Sequence, residues 1–474
     1  MAEPLQYAGE YHLHEAEIIP PSGDSIQVTN TAIEFSIYED IFVSGLYGDI
    51  TIVDTDSLTE IVPIIGQEQL VLHITTPGLE DSPIRHNFSI YAIARREDLS
   101  KGGQVLKLLF CSPEVLQNER IRISKSYTNT IDNIVADVLM NNCKTRKQLY
   151  TEATSGVRKF IAPNLHPHSL INSLTTEAVS SKFGANHFVF YENLYGINFH
   201  SLEYLFSEPI VQEIKSDGMD SAAGPRESIH SDPLFDYMNP IEFQINTNNH
   251  LIGNIKSGML GSKMTEYNMF RKNYKEYTYR YFDEFYKTPR LNSLQEGSHP
   301  IYSDGAWSDT GQTISQYPDS KIHLSSISST FDDNLRIDTT NSTGAYDDVY
   351  TYASDGLTNV LSRQSKLTEL IAGLSVTMKI HGHTGISVGK VIHITMPPSK
   401  NDSDAQQDKY LSGNFLITKA RHIFNNSTRK HEILINAAAD GFNTRLPNSR
   451  AGSKEYADVL ANQTGPIRTI VAVS

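Results

Sequence analysis

Three H-x-H pairs are the residues of this chain whose type and spacing come nearest to working chemistry: His12/His14, His166/His168 and His381/His383. On a strand, positions i and i+2 share a face, so each pair would present two imidazoles together, as a zinc site requires. None has a third ligand nearby in a recognisable motif, and H-E-x-x-H is absent. Among 17 histidines they read as solvated or structural side chains, with metal binding as the alternative. The adjacent acids Glu39 and Asp40 raise the possibility of glycoside hydrolysis, yet neighbours on a strand point to opposite faces, and a loop or interface role fits better. No G-x-S-x-G elbow, Walker loop or kinase motif set occurs. Neither an enzyme activity nor a cofactor is expected.

Residues 271–287 interleave Lys272, Lys275 and Arg280 with Tyr274, Tyr277, Tyr279 and Tyr281, which superficially resembles a stacking platform for single-stranded nucleic acid. Glu276, Asp283 and Glu284 cancel that basic charge. A helix burying Tyr274, Tyr277, Tyr281 and Phe285, or a Tyr-rich strand, is the plainer reading, and either can face a neighbouring subunit, where Tyr is favoured.

The elements that would position such residues repeat. Ile33-Glu34-Phe35-Ser36-Ile37 returns as Ile241-Glu242-Phe243-Gln244-Ile245, and Ser44-Gly45-Leu46-Tyr47-Gly48 as Ser257-Gly258-Met259-Leu260-Gly261. Further on, the run around His73 returns around His393, and Phe88-Ser89-Ile90 returns as Phe415-Leu416-Ile417, each of the last two leading to a basic doublet, Arg95-Arg96 or Arg421-His422. The offset between copies grows along the chain, so the later copy carries a longer first turn and then a large insertion. Four matches in the same order indicate an internal duplication. Within the unit, Ile33, Phe35 and Ile37 alternate with Glu34 and Ser36, the period of a strand with one buried face. Glycines between the runs punctuate turns, and several short strands at this spacing indicate a small antiparallel barrel or sandwich.

Between the copies the period changes. Ile131, Ile134, Val135 and Val138 mark a helix face, and Leu170, Ile171, Leu174 and Ala178 mark a second behind Pro167. A hairpin follows, turning around Glu192 to Gly196. The expected layout is a mixed α+β, mainly β chain: a first β-barrel at 1–117, an α/β domain at 118–207, a second barrel split between 208–268 and 369–442, an insertion at 269–368 and a C-terminal arm at 443–474. The two barrel segments should superpose as one fold.

At 474 residues the chain is long enough for roughly three or four domains. With 40 Lys plus Arg against 55 Asp plus Glu, its net charge of -15 argues against a broad phosphate-gripping surface. No apolar run approaches the ~18 residues of a membrane span, and Met1-Ala2-Glu3-Pro4 lacks a signal-peptide core, so folding in a cytoplasm is expected. Two cysteines, Cys111 and Cys143, without C-x-x-C spacing, read as buried reduced thiols.

The stretches "IYEDIF", "LYGDITIVD" and "PIIGQEQLVLHITTP", the middle "NLHPHSLINSLTTEAVSS" and "HFVFYENLYGINF", and the late "HGHTGISVGKVIHITMPP" and "YLSGNFLITKARHIF" together resemble the baseplate hub protein of contractile-tailed bacteriophages, a family related to the hub part of type VI secretion spikes. The resemblance runs in order to about Phe442, and its motifs are structural rather than catalytic. It implies two tube domains per subunit and a homotrimeric ring whose six barrels match a hexameric tail tube on one side and a trimeric spike on the other. Other baseplate proteins are implied as partners, with DNA passing through unheld, in a virion tail assembled in the host cytoplasm. The alternatives are the hub of a tailocin or secretion device, or a hydrolase of the tail tip that degrades cell wall.

Overall fold

Alternating apolar residues build most strands of this chain, and the partner each strand finds decides the architecture. The computed structural model describes residues 5–21, 25–54, 64–79, 82–99, 103–215, 233–247, 250–268, 272–292, 299–302, 314–326, 347–397 and 407–446. The first strands are β1 His12–Ile19, β2 Ile26–Gln27, β3 Ala32–Asp40, β4 Tyr47–Asp54, β5 Gln69–Thr75, β6 Ile84–Asp98 and β7 Gln104–Cys111. In β3, Phe35 and Ile37 are fully buried as their period demands. Ile33 is not, because the register with β4 shifts between Ala32 and Glu34 and turns it outward.

The middle of the chain has its own apolar core. There β8 Ser126–Asn129 pairs with β10 Arg158–Ile161, while β9 Leu149–Thr151 runs parallel to β12 Gly196–Ser201, which forms a hairpin with β11 Phe188–Asn193. The expected helix faces are buried against these strands: Ile131, Ile134, Val135 and Val138 from one side, Leu170, Ile171 and Leu174 from the other.

The later strands are β13 Ile210–Lys215, β14 Glu242–Thr247, β15 Gly261–Asn268, β16 Asn273–Arg280, β17 Ile322–Ser326, β18 Leu374–His381, β19 Val391–Thr395, β20 Gly413–Asn425 and β21 Lys430–Ala439. Strands β15 to β17 make a separate three-stranded sheet. The Tyr-rich run is therefore a strand over 273–280, not a helix, with a short helix only from Tyr281 to Glu284. All the rest of this group join β1 to β7 in one 13-stranded sheet.

Within that sheet the strand order of the first part, β3-β4-β7-β6-β5-β1, recurs as β14-β18-β21-β20-β19-β13. The corresponding pairs are antiparallel in both, except that β13 lies parallel to β19 where β1 lies antiparallel to β5. Even an irregularity is shared: β6 bulges between Ile90 and Ala92, and β20 between Ile417 and Lys419. A bulge costs ladder hydrogen bonds, so its recurrence at matching positions reflects the same bend made twice. The two strand sets are joined edge to edge by β3 and β20.

Two sequence expectations change. The sheet is open among the described residues, with β14 and β2 at the ends of its path, and no closed barrel is found there. The match of Ser44–Gly48 to Ser257–Gly261 does not join equivalent places, since β15 leaves for the separate sheet and the slot of β4 belongs to β18. Its glycines are needed for different reasons. A Cβ on Gly48 would meet the Phe110 ring at 2.2 Å and one on Gly45 would meet Val115 at 2.4 Å, whereas Gly258 closes the helix Leu251–Ser257 at φ +81°. Departure from the first set thus begins at that helix rather than at 269. No helix of the described residues is long and apolar enough to cross a membrane.

Each set has its own hydrophobic core, and one residue crosses over each way. Phe424 of β20 belongs to the first core, stacked on Phe35 at 4.7 Å, while Ile41, just after β3, belongs to the second. Phe424→Ala should therefore loosen both sets, costing about 3–5 kcal/mol in a denaturant titration, against under ~0.5 kcal/mol for an exposed control such as Tyr274→Ala.

Candidate functional site at the seam between the strand sets

The seam is a seven-residue antiparallel register from Asp40 opposite Lys419 to Glu34 opposite Asn425. Its outer face carries charge in water: Asp40 pairs with Lys419 at 3.0 Å, and Arg421 lies over the Tyr38 ring. The inner face carries Glu39, whose carboxylate is wholly buried. Neighbouring acids on a strand do point to opposite faces here, and only one of the faces is dry.

A buried carboxylate is costly unless donors surround it. Glu39 accepts from four groups: the Leu194 amide at 2.6 Å, the Ser387 hydroxyl at 2.8 Å, the Val388 amide at 3.1 Å and His422 Nε2 at 3.2 Å. These come from the β11–β12 turn, from the loop after β18 and from β20, so one side chain ties three parts of the chain. A carboxylate only accepts, so Nε2 of His422 carries the proton, and its Nδ1 lies 3.1 Å from Nε2 of His431. His431 is fully buried, and its protonation is pushed far below the usual range by burial and by the neighbouring His422 and His383. It is neutral, and a single proton joins its Nε2 to Nδ1 of His422. A second buried knot lies nearby, where Lys147 donates to Glu114 at 2.7 Å and to Glu192 of β11.

None of this leaves a reactive group. The seam acid is saturated with donors and shut off from solvent, which suits a joint and not general acid–base work. The two thiols are likewise inert: Cys111 and Cys143 are buried and free, each pushed up to about 11 by burial.

The H-x-H pairs are dispersed. His12 and His14 lie on β1 with ring centroids 6.2 Å apart, and His14 is 4.9 Å from the His73 ring and bonded to Thr75 at 2.8 Å. His166 stands just before a helix, with its ring turned to the carbonyls of Asn118 and Ile121, whereas His168 packs edge-on to Phe190. His381 ends β18, and His383 bonds Gln212 at 3.2 Å. No group of three or more His, Cys, Asp or Glu among the described residues can hold a metal ion. Among the repeat positions, Phe35 and Phe243 lie at matching places on β3 and β14, with Ile241 just before β14; His73 and His393 lie on the corresponding strands β5 and β19 but two residues out of step, since His393 faces Asn414 whereas Val71, not His73, faces the matching Asn87. Sequence reasoning passed over Glu39 as a joint and missed Ile41 and Phe424 altogether. The signal available was the basic doublet Arg421-His422, whose second member meets the acid.

No family model matches the chain, and no curated protein matches it. Solved structures do resemble it at low identity. A tail protein from Neisseria meningitidis MC58 is 11% identical with a TM-score of 0.47, over 91% of this chain and 97% of that one. The 43 kDa tail protein of prophage MuSo2 from Shewanella oneidensis is 9% identical with a TM-score of 0.48, over 90% and 99%. An E. coli component of the type VI secretion system is 9% identical with a TM-score of 0.41, over 93% and 80%. The structural neighbours are thus phage tail proteins and type VI secretion components.

Burial lowers His168, His200 and His383 each to about 4. Each is neutral when folded, whereas its unfolded counterpart takes up a proton below about 6.5. Stability is therefore intact above pH 6.5 and falls as pH drops from there towards 4, by about 1.4 kcal/mol per pH unit for each such histidine. Denaturation midpoints across that window should show the slope, and His383→Gln should make it shallower.

Proposed function

We propose that the chain is the structural hub of a contractile tail baseplate. Each strand set acts as one tube domain: 1–117 forms the first, and 208–250 with 369–442 the second, with 118–207 and the insertion packed around them. Three copies close into a ring that presents six similar units, one end fitting a hexameric tube and the other a trimeric spike. A single identical surface per subunit cannot meet both symmetries, and a duplicated unit can. The observation that carries the reading is the recurrence of one strand order, with the two sets joined side by side through β3 and β20 rather than face to face. Units joined in this way leave one free edge at each end of the pair, which is the geometry of a ring segment.

Its place would be the virion tail, among other baseplate proteins, after assembly in the host cytoplasm. The net charge of -15 suits a channel through which DNA slides, since a surface neutralising several phosphates would hold it. Light scattering should give three chains, or one chain that becomes three when its spike is added. A stable dimer or hexamer without a threefold form would overturn the ring. Duplex DNA at low salt should migrate unretarded beside the purified protein, and retardation that weakens steeply with salt would sink the open-channel reading.

A further inference from the structure

The internal seam shows how one strand set receives another, and the first set has the same receiving place without an occupant among the described residues. In β20, one edge is covered by β19 over Gly413–Ile394 and its neighbours, then beyond the bulge by β3 from Lys419 to Asn425; the opposite edge belongs to β21. In β6, β5 covers the corresponding edge from Ile84 to Ser89, and β7 holds the opposite edge. Beyond the matching bulge, from Ala92 to Asp98, β6 shifts register once more between Ile93 and Arg95, as β20 does not, and no described strand lies where β3 lies against β20.

The bulge itself is part of the socket. At Thr418, bulged out of β20, the carbonyl accepts the Ile41 amide at 3.0 Å, and the Ile41 side chain is buried in the second core. The residue bulged out of β6 is Tyr91, 42% exposed. Beside it opens a cavity of about 640 Å3 whose apolar side is Ile90, Tyr91 and Leu116 and whose rim carries Gln67, Gln117 and Arg120. Beside the bulge that in the second set receives Ile41, the first set thus has a hollow.

The second set carries the matching insert. β14 occupies the slot of β3 and among the described residues pairs only with β18, which leaves its other edge bare, and its Ile245 is 37% exposed. Soon after it comes the helix Leu251–Ser257, whose Ile252 is 62% exposed. Long unpaired edges with apolar residues are normally blunted or covered. Here one copy carries one edge of each kind, so the contact is head to tail.

We infer that β14 of one copy pairs antiparallel with Ala92–Asp98 of β6 in a second copy of this chain, and that Ile252 fills the cavity beside Tyr91. This rests on the proposed ring, and it names the surface that closes it. Transferring the internal register, in which His422 faces Ile37 and Ile423 faces Ser36, sets Arg96 opposite Ile245 and Glu97 opposite Gln244. The charges of Arg95 to Asp98 keep the bare edge from pairing indiscriminately.

Cysteine pairs test the register, because facing residues on paired strands lie within disulfide reach. The two native thiols are buried and do not compete under mild oxidation. The full chain carrying Arg96→Cys with Ile245→Cys, or Glu97→Cys with Gln244→Cys, should yield a covalent three-chain species on a non-reducing denaturing gel, while each single variant stays one chain. Three chains by light scattering with no bond from either pair would overturn the seam and leave the ring standing. An open ladder of bonded chains would keep the seam and overturn the ring. Ile252→Arg, at an exposed position, should leave the melting of the single chain unchanged and raise the concentration needed for assembly by on the order of tenfold or more. Unchanged assembly would overturn the cavity's assignment.

Discussion

The carboxylate of Glu39 is the constraint on which the arrangement of this chain turns. It is buried where three parts of the molecule meet, and its four donors are fixed to the backbone or to short side chains of those parts. A buried charge tolerates no loose packing, because displacing any donor leaves it uncompensated. Apolar contacts such as Phe424 on Phe35 supply the attraction between the sets, but such contacts slide at little cost. The charge supplies the register. A slip of one residue along β3 would turn Glu39 outward and carry Asp40 into the dry core.

What the sequence made legible follows from what repeats locally. Alternation gave the strand around Phe35, the internal repeat marked the runs around His73 and Phe88, and helical spacing gave the faces at Ile131 and Leu170, because burial on one side leaves a period. The partner of β4 stayed hidden. Leu374–His381 shares with Tyr47–Asp54 only the alternation common to strands, while Ser257–Gly261 offered a better spelling at the wrong place. Glycine is demanded by close approach at Gly48 and by a left-handed turn at Gly258, and the letter does not say which. The run from Asn273 to Arg280 was open between helix and strand because tyrosines at nearly every other position satisfy both periods over so short a span.

Glu39 shows a different limit. The sequence says that Glu39 and Asp40 part to opposite faces, and the structure agrees. Whether a face is wet or dry depends on a strand nearly four hundred residues away, and no local pattern records that. The same holds for His168, His381 and His383, whose lowered protonation follows from burial by distant elements rather than from H-x-H spacing.

The two sets differ most in the link between their first two strands. Between β3 and β4 it is a few residues, short enough to hold Ile41 rigidly against β20; between β14 and β18 it is the insertion, with its own sheet and the helix Asp347–Ala372. Lengthening a loop costs little entropy, since closure cost grows only as the logarithm of length. Keeping β14 in place is the harder task, because a long link no longer fixes where its strands lie. A buried ionic cluster answers it: Lys366 reaches Asp440 at 3.0 Å, Arg290 pairs with Glu369, and Asp440 accepts the Leu291 amide at 3.0 Å. Asp440 directly follows β21, and Arg290 and Glu369 belong to the insertion, so its exit is clamped to the end of the sheet. The insertion is thus held by its base while its body is left to diverge, and one strand order can serve twice with different surfaces.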